Sequence, residues 1–164
     1  MEEAIKIADL VAPELVLFDV EAQTKEELIR KLAERAEENG YVVQGYADDV
    51  IEREQSYPTA LPTAVMKVAV PHAIVQGHVL KAGIVVGRLA RPVAFKEMGD
   101  GVRDVDVECA FMLVAKGDKH HLSVLQRLIG MLADQASMEE LKAVDTPEGM
   151  VEFLVEKLDG KAAQ

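Results

Sequence analysis

The stretch from Val105 to Ala115 limits what this chain can fold into more than any other. Apolar and polar residues alternate from Val105 to Cys109, and every residue from Cys109 to Ala115 is apolar. Alternation is the two-residue period of a strand with one covered face, whereas an unbroken apolar run marks a strand covered on both faces. A strand that changes from one to the other runs from the margin of a sheet into its middle, so this is the expected central strand. The run is far short of the roughly 20 residues that a membrane-spanning helix needs. Other parts of the chain must therefore supply two covering layers.

Those parts are legible in outline. Leu15 to Val20 reads as a first strand, and Thr24-Lys25-Glu26-Glu27 is a capping box opening a helix with Leu28, Leu32 and Ala36 on one stripe. Asn39-Gly40 closes it. A shorter helix is expected from Tyr46 to Gln55, ahead of Tyr57-Pro58-Thr59. Strands follow at Met66 to Val70, Gly83 to Val86 and, with a weaker pattern, Val93 to Phe95; Gly99-Asp100-Gly101 is a turn. After the central strand, Lys116-Gly117-Asp118 leads into a helix from Lys119 to Ala133 with Asp118 as its N-cap. Ser137-Met138-Glu139-Glu140 reads as another capping box, and Thr146-Pro147 places a cap and an N1 proline before a last helix ending near Leu158. Helices precede, separate and follow the strands, which is the signature of an α/β fold with helices on both faces of one sheet. Strand order does not follow from the pattern.

The 164 residues show no composition break, linker or internal repeat, so residues 1–164 are read as one domain. Met1-Glu2-Glu3-Ala4 lacks the basic-then-apolar order of a signal peptide, and the single cysteine, Cys109, can form no internal disulfide. A cytoplasmic location without direct membrane insertion is expected, and Cys109 is expected to be an inert buried thiol. A formal net charge of -11 would repel a phosphate backbone and argues against nucleic acid as a partner. It suits a partner with a basic face, or simply keeps the surface soluble.

Three residues stand out as candidate chemistry. In Val70-Pro71-His72 the proline cannot donate a ladder hydrogen bond and has a fixed φ, so it stops the strand and holds His72 in a defined loop. An imidazole is largely uncharged near neutral pH and can act as a nucleophile without an activating base; a histidine there can also do no more than satisfy a hydrogen bond. Tyr46, Val50 and Arg53 are spaced i, i+4, i+7, which puts Arg53 on the inward face of its helix. The other reading of Arg53 is an i, i+4 ion pair with Asp49 on a solvated face. His121 shares a stripe with Leu125, Leu128 and Leu132, whereas His120 lies about 100° away. His121 thus falls in the first helical turn, where free N–H groups favour an anion, or it is a histidine packed at a helix start. His78 and His120 read as surface residues.

A neutral nucleophile, an inward arginine and a second imidazole together suit phosphoryl transfer, which needs positioning and charge stabilisation above all. The sequence contains no CxxC, HxxxH or HExxH, no GxSxG elbow, and neither GxxxxGK[ST] nor GxGxxG. No metal, serine-hydrolase chemistry or nucleotide cofactor is expected.

Val68-Ala69-Val70-Pro71-His72, taken with Lys116-Gly117-Asp118-Lys119-His120-His121-Leu122 and with Leu125 and Leu128, resembles the enzyme IIA domain of the fructose/mannitol type in the phosphoenolpyruvate-dependent sugar phosphotransferase system. The resemblance extends over nearly the whole chain, including the Thr24 capping box, Ile51-Glu52-Arg53-Glu54 and the last helices. It implies a single mixed β-sheet flanked by helices on both faces, and a phosphocarrier that needs no metal or cofactor. His72 would match the histidine phosphorylated at its tele nitrogen, His121 the histidine that supports the phosphoryl group, and Arg53 the arginine that stabilises its charge. The donor would be the small histidine-containing carrier protein, and the acceptor a cysteine of a separate enzyme IIB serving a membrane enzyme IIC. Tyr57-Pro58-Thr59 and Arg91-Pro92-Val93-Ala94-Phe95-Lys96-Glu97-Met98-Gly99 look most like the galactitol-type subgroup. Mannitol-type members tend to carry an acidic residue and a glycine where Met66 and Ala73 stand here. Transport of galactitol or a related polyol is therefore the favoured reading, with a nitrogen-type regulatory enzyme IIA as the alternative.

Overall fold

The Val105–Ala115 pattern is realised as strand β5 (Asp104–Val114), whose residues from Ala110 to Val114 are all buried. It lies antiparallel to β4 (Gly83–Lys96) and parallel to β3 (Val68–Ala69). Outside these, β1 (Val16–Val20) runs parallel to β4 and β2 (Ala60–Leu61) antiparallel to β3, giving the order β1-β4-β5-β3-β2. The sheet is mixed, and β5 is its central strand. The computed structural model describes residues 6–73, 77–116 and 118–159, and residues 118–120 by their helical backbone alone.

Successive residues of β5 serve two separate cores. Ala110 and Met112 pack with α1 (Lys25–Glu38) and α2 (Tyr46–Ser56), where Leu28, Leu32, Tyr46 and Val50 are buried. Cys109, Phe111 and Leu113 point the other way, into a layer formed by α3 (Asp118–Leu132), α4 (Gln135–Ala143) and α5 (Pro147–Leu154). This two-sided covering is what the wholly apolar run requires. The capping box at Thr24 is formed: Glu27 N–H donates to Thr24 Oγ1 at 3.1 Å, and Gln23 N–H donates to the Glu27 carboxylate at 2.8 Å. Helix α1 presses so closely on β4 that a Cβ on Gly87 would stand 2.7 Å from Leu32 Cδ2. Among the described residues no helix is long and apolar enough to cross a membrane.

The structure corrects several boundaries. The two strands expected at Gly83–Val86 and Val93–Phe95 are one strand of 14 residues with an irregular register between Arg88 and Val93. Pro92 falls in that interval, where its missing N–H breaks no ladder bond. The strand expected from Met66 to Val70 pairs only at Val68 and Ala69, and its partner β2, two residues long before Pro62, is too short to show a period. Helix α4 is capped by Asp134, whose carboxylate accepts from Ser137 N–H at 3.1 Å and from its hydroxyl at 2.6 Å, so Ser137 lies inside the helix rather than at its cap. At the chain end Thr146 Oγ1 accepts from Gly149 N–H at 3.0 Å as expected, but α5 stops at Leu154 and passes into a π turn, Val155–Asp159. The cap assigned to Asp118 concerns a side chain outside the described residues.

Candidate active site

Pro71 ends the β3 segment as its chemistry requires, and the chain continues beside β5. Val70 N–H donates to Thr59 O at 3.3 Å, Leu113 N–H donates to Pro71 O at 3.1 Å, and His72 forms an isolated parallel bridge with Leu113. His72 is only 6% exposed, with Nδ1 2.7 Å from Val70 O. A carbonyl oxygen can only accept, so Nδ1 carries the ring proton and Nε2 keeps the free lone pair. Burial, helped by the Arg53 charge, holds the imidazole pKa below its ordinary value against the opposing effect of the Val70 hydrogen bond. His72 is thus a neutral base at pH 7, with its nucleophilic nitrogen defined.

The other two candidates converge on it. From the first turn of α3, the half-buried His121 ring stands 4.8 Å from that of His72, centroid to centroid, at an interplanar angle of 52°. Arg53, in the last turns of α2, lines the same open cleft as His72 and carries its guanidinium 4.0 Å above the Tyr57 ring. Its Nε is buried without a hydrogen-bond partner. The surface ion pair considered for Arg53 is not adopted, because Asp49 bonds His78 Nδ1 at 2.6 Å. His78 is therefore more than the surface residue its sequence context suggests. Its ring rests against Gly45, where φ is +108° and a Cβ would approach Nε2 to 2.8 Å, so that position accepts only glycine without rearrangement. His120 has its side chain outside the described residues.

Three contributors to the site were not read from the sequence. The β4–β5 turn folds back over the cleft: Met98 N–H donates to Ala60 O at 2.8 Å, and Asp100 Oδ1 accepts from Val102 N–H at 2.8 Å and Arg103 N–H at 2.9 Å. Met98, Gly99, Asp100 and Gly101 then form one wall. At the start of α2 the Tyr46 hydroxyl donates to Leu113 O at 3.2 Å, fixing the helix to the strand that holds His72. At its other end Glu54, 2% exposed, accepts from Thr59 N–H at 2.9 Å and from the Thr59 hydroxyl at 2.8 Å. Burial raises the Glu54 carboxyl from 4.5 to about 7, against the lowering effect of the Thr59 bonds and of the Lys25 and Arg53 charges. Glu54 lies four residues after Val50 on the inward stripe, and that spacing is the signal that could have found it.

A neutral nitrogen nucleophile, a cation held in the same cleft and a second imidazole at a helix start are the groups that transfer of an anionic group onto nitrogen requires. Among the described residues no three His, Cys, Asp or Glu side chains converge as a metal site.

Most of this chain's length is similar to known proteins. The family model described as "Phosphoenolpyruvate-dependent sugar phosphotransferase system, EIIA 2" matches residues 9–157. The chain is 30% identical over 155 residues to the PTS system mannitol-specific EIICBA component of Pasteurella multocida, covering 93% of this chain but only 24% of that protein. It is 32% identical over 143 residues to the nitrogen regulatory protein of Bradyrhizobium diazoefficiens, covering 84% of this chain and 86% of the other. The fold matches that in the complex of enzyme IIA and phosphorylated enzyme IIB for mannitol from Escherichia coli, with a TM-score of 0.72, 27% identity, and coverage of 88% of this chain and 96% of that one. With the mixed sheet, the two helical layers and the match over residues 9–157 in agreement, the chain belongs to the EIIA 2 family of the phosphoenolpyruvate-dependent sugar phosphotransferase system, a phosphotransferase component of the kind that works through phosphohistidine.

Proposed function

We propose that the chain, as a single domain of this type, accepts a phosphoryl group on His72 Nε2 from the histidine-containing carrier protein and hands it to a cysteine of a separate enzyme IIB. The observation that carries this reading is the 2.7 Å hydrogen bond from His72 Nδ1 to Val70 O, which leaves Nε2 as the nucleophile. In the transfer, the Nε2 lone pair attacks phosphorus as the donor's nitrogen–phosphorus bond breaks, and the electron pair of that bond returns to the donor imidazole. The phosphorylated ring of His72 gains positive character, which the Val70 carbonyl stabilises. Arg53 balances the charge gathered on the phosphoryl oxygens, and His121 orients them. In the onward step a thiolate attacks phosphorus and the bonding pair returns to Nε2.

Galactitol or a related polyol is the favoured cargo of the wider system, with a membrane enzyme IIC as its carrier. The two segments with galactitol-type character supply Tyr57, Pro58, Met98 and Gly99 to the cleft rim, where a partner would read them. The second reading is nitrogen-type regulation, favoured by the match to the Bradyrhizobium protein along 86% of its length. The test is incubation with phosphoenolpyruvate, enzyme I and the carrier protein. The parent should gain one acid-labile, base-stable phosphoryl group and His72→Ala none; normal labelling of the variant would remove His72 from the mechanism. Transfer from the labelled protein to a galactitol-type enzyme IIB supports transport, and failure with every enzyme IIB offered supports regulation.

A further inference from the structure

We propose that Glu54 is a positioning residue for His72, acting through Thr59 and Val70 to hold the imidazole in its nucleophilic tautomer. The inference rests on the reading of His72 as phosphoryl acceptor. A continuous path of hydrogen bonds joins the two side chains. Thr59 N–H and Oγ1 donate to the two Glu54 oxygens at 2.9 and 2.8 Å, Val70 N–H donates to Thr59 O at 3.3 Å, and His72 Nδ1–H donates to Val70 O at 2.7 Å.

The choice of residue is what gives the path meaning. Filling space at a site 2% exposed calls for an apolar side chain, and a buried carboxylate is the costly alternative. Glu54 uses both oxygens on one residue, the residue that closes the turn between α2 and β2. Thr59 is thereby fixed in backbone and side chain, and its carbonyl in turn holds the N–H of Val70, the residue whose own carbonyl oxygen selects the His72 tautomer. Free imidazole populates both neutral tautomers, and only the Nδ1–H form leaves Nε2 able to attack. If Val70 O drifts, the ring spends time with its proton on the wrong nitrogen. Glu54 also precedes β2 by the same turn that carries Tyr57, against which Arg53 stacks, so one carboxylate sets the cation's neighbour and the nucleophile's proton together.

Glu54→Gln and Thr59→Val test the path, with Thr59→Ser as the conservative control. The first readout is heteronuclear NMR of the His72 ring nitrogens in the unphosphorylated protein at about pH 8, where both Glu54 is ionised and His72 neutral. Both variants should raise the Nε2–H population, and Thr59→Ser should match the parent. The second readout is phosphorylation by the carrier protein: kcat should fall on the order of tenfold with KM for the carrier unchanged. A folded Glu54→Gln protein with the parent tautomer would overturn the proposal, as would a changed tautomer with unchanged kcat, or a raised KM alone, which would make Glu54 a support of the docking surface. Should the parent take no phosphoryl group at all, the acceptor reading of His72 fails, and the tautomer measurement still decides whether Glu54 positions the ring. Thr59→Val carries the same decision if Glu54→Gln does not fold.

Discussion

At the residue scale, position in a pattern separates the site from its neighbours. His72 was legible as a candidate because a proline marks the strand end before it, and Arg53 and His121 because each interrupts an apolar stripe. Their distances were not, since 4.8 Å between two rings from different elements depends on the whole fold. The buried and unpartnered Nε of Arg53 gives a kinetic prediction. Losing one such stabilising group typically costs on the order of 3 kcal/mol in the barrier, so Arg53→Ala should slow transfer about a hundredfold while circular dichroism stays that of the parent. His121→Ala should still be phosphorylated on His72 but deliver to enzyme IIB more slowly, as rapid-quench measurement of the second step would show. Glu54 predicts a pH effect on stability. Its folded carboxyl titrates at about 7 against 4.5 ordinarily, so between these values the folded chain holds a proton that the unfolded chain has released. Its contribution is complete below the lower value and is lost as pH rises through the upper one, on the order of 3 kcal/mol in all. Melting curves of the parent should therefore shift down across that window, and those of Glu54→Gln should lack this part of the shift.

At the element scale, helices with chemical punctuation were readable and short strands were not. Thr24, Thr146 and the Leu28-Leu32-Ala36 stripe announce α1 and α5 through side chains whose hydrogen bonds are local. Strand β2 has two residues and β3 two, too few for any period, and both exist because β5 offers a ladder to the segment before Pro71. The reverse error at α4 came from a plausible Ser-x-x-Glu spacing that Asp134 pre-empts. Helix α2 illustrates what sequence pattern leaves out: it is tied at one end to Leu113 through Tyr46 and at the other to Thr59 through Glu54. Its start depends on Gly45, so Gly45→Ala combines an unfavourable φ with a clash against the His78 ring. A loss of about 1 to 3 kcal/mol is expected in urea unfolding. His78→Ala in the same background should return the part due to the clash.

At the scale of the whole molecule, the apolar run in β5 implied two covering layers, and both are present. The order of the strands lay beyond the pattern because pairing is chosen among edges that look alike in one dimension. Leu32→Ala and Leu128→Ala, on opposite layers, should each cost roughly 2 to 5 kcal/mol and add when combined, since the two residues share no contact cluster. Spectroscopic probes in the two layers should nevertheless melt together, because one strand belongs to both. Leu113 shows what that sharing entails. Its side chain belongs to the α3 layer, its carbonyl is bound by a tyrosine of the α2 layer, and its amide holds the loop that carries His72. Slackening on either side of the sheet reaches the same residue, so substitutions far from the proposed reacting nitrogen are restrained by chemistry they never touch. The sheet serves this molecule less as a floor for the reaction than as a common keystone, against which both halves lean and through which each can feel the other give way.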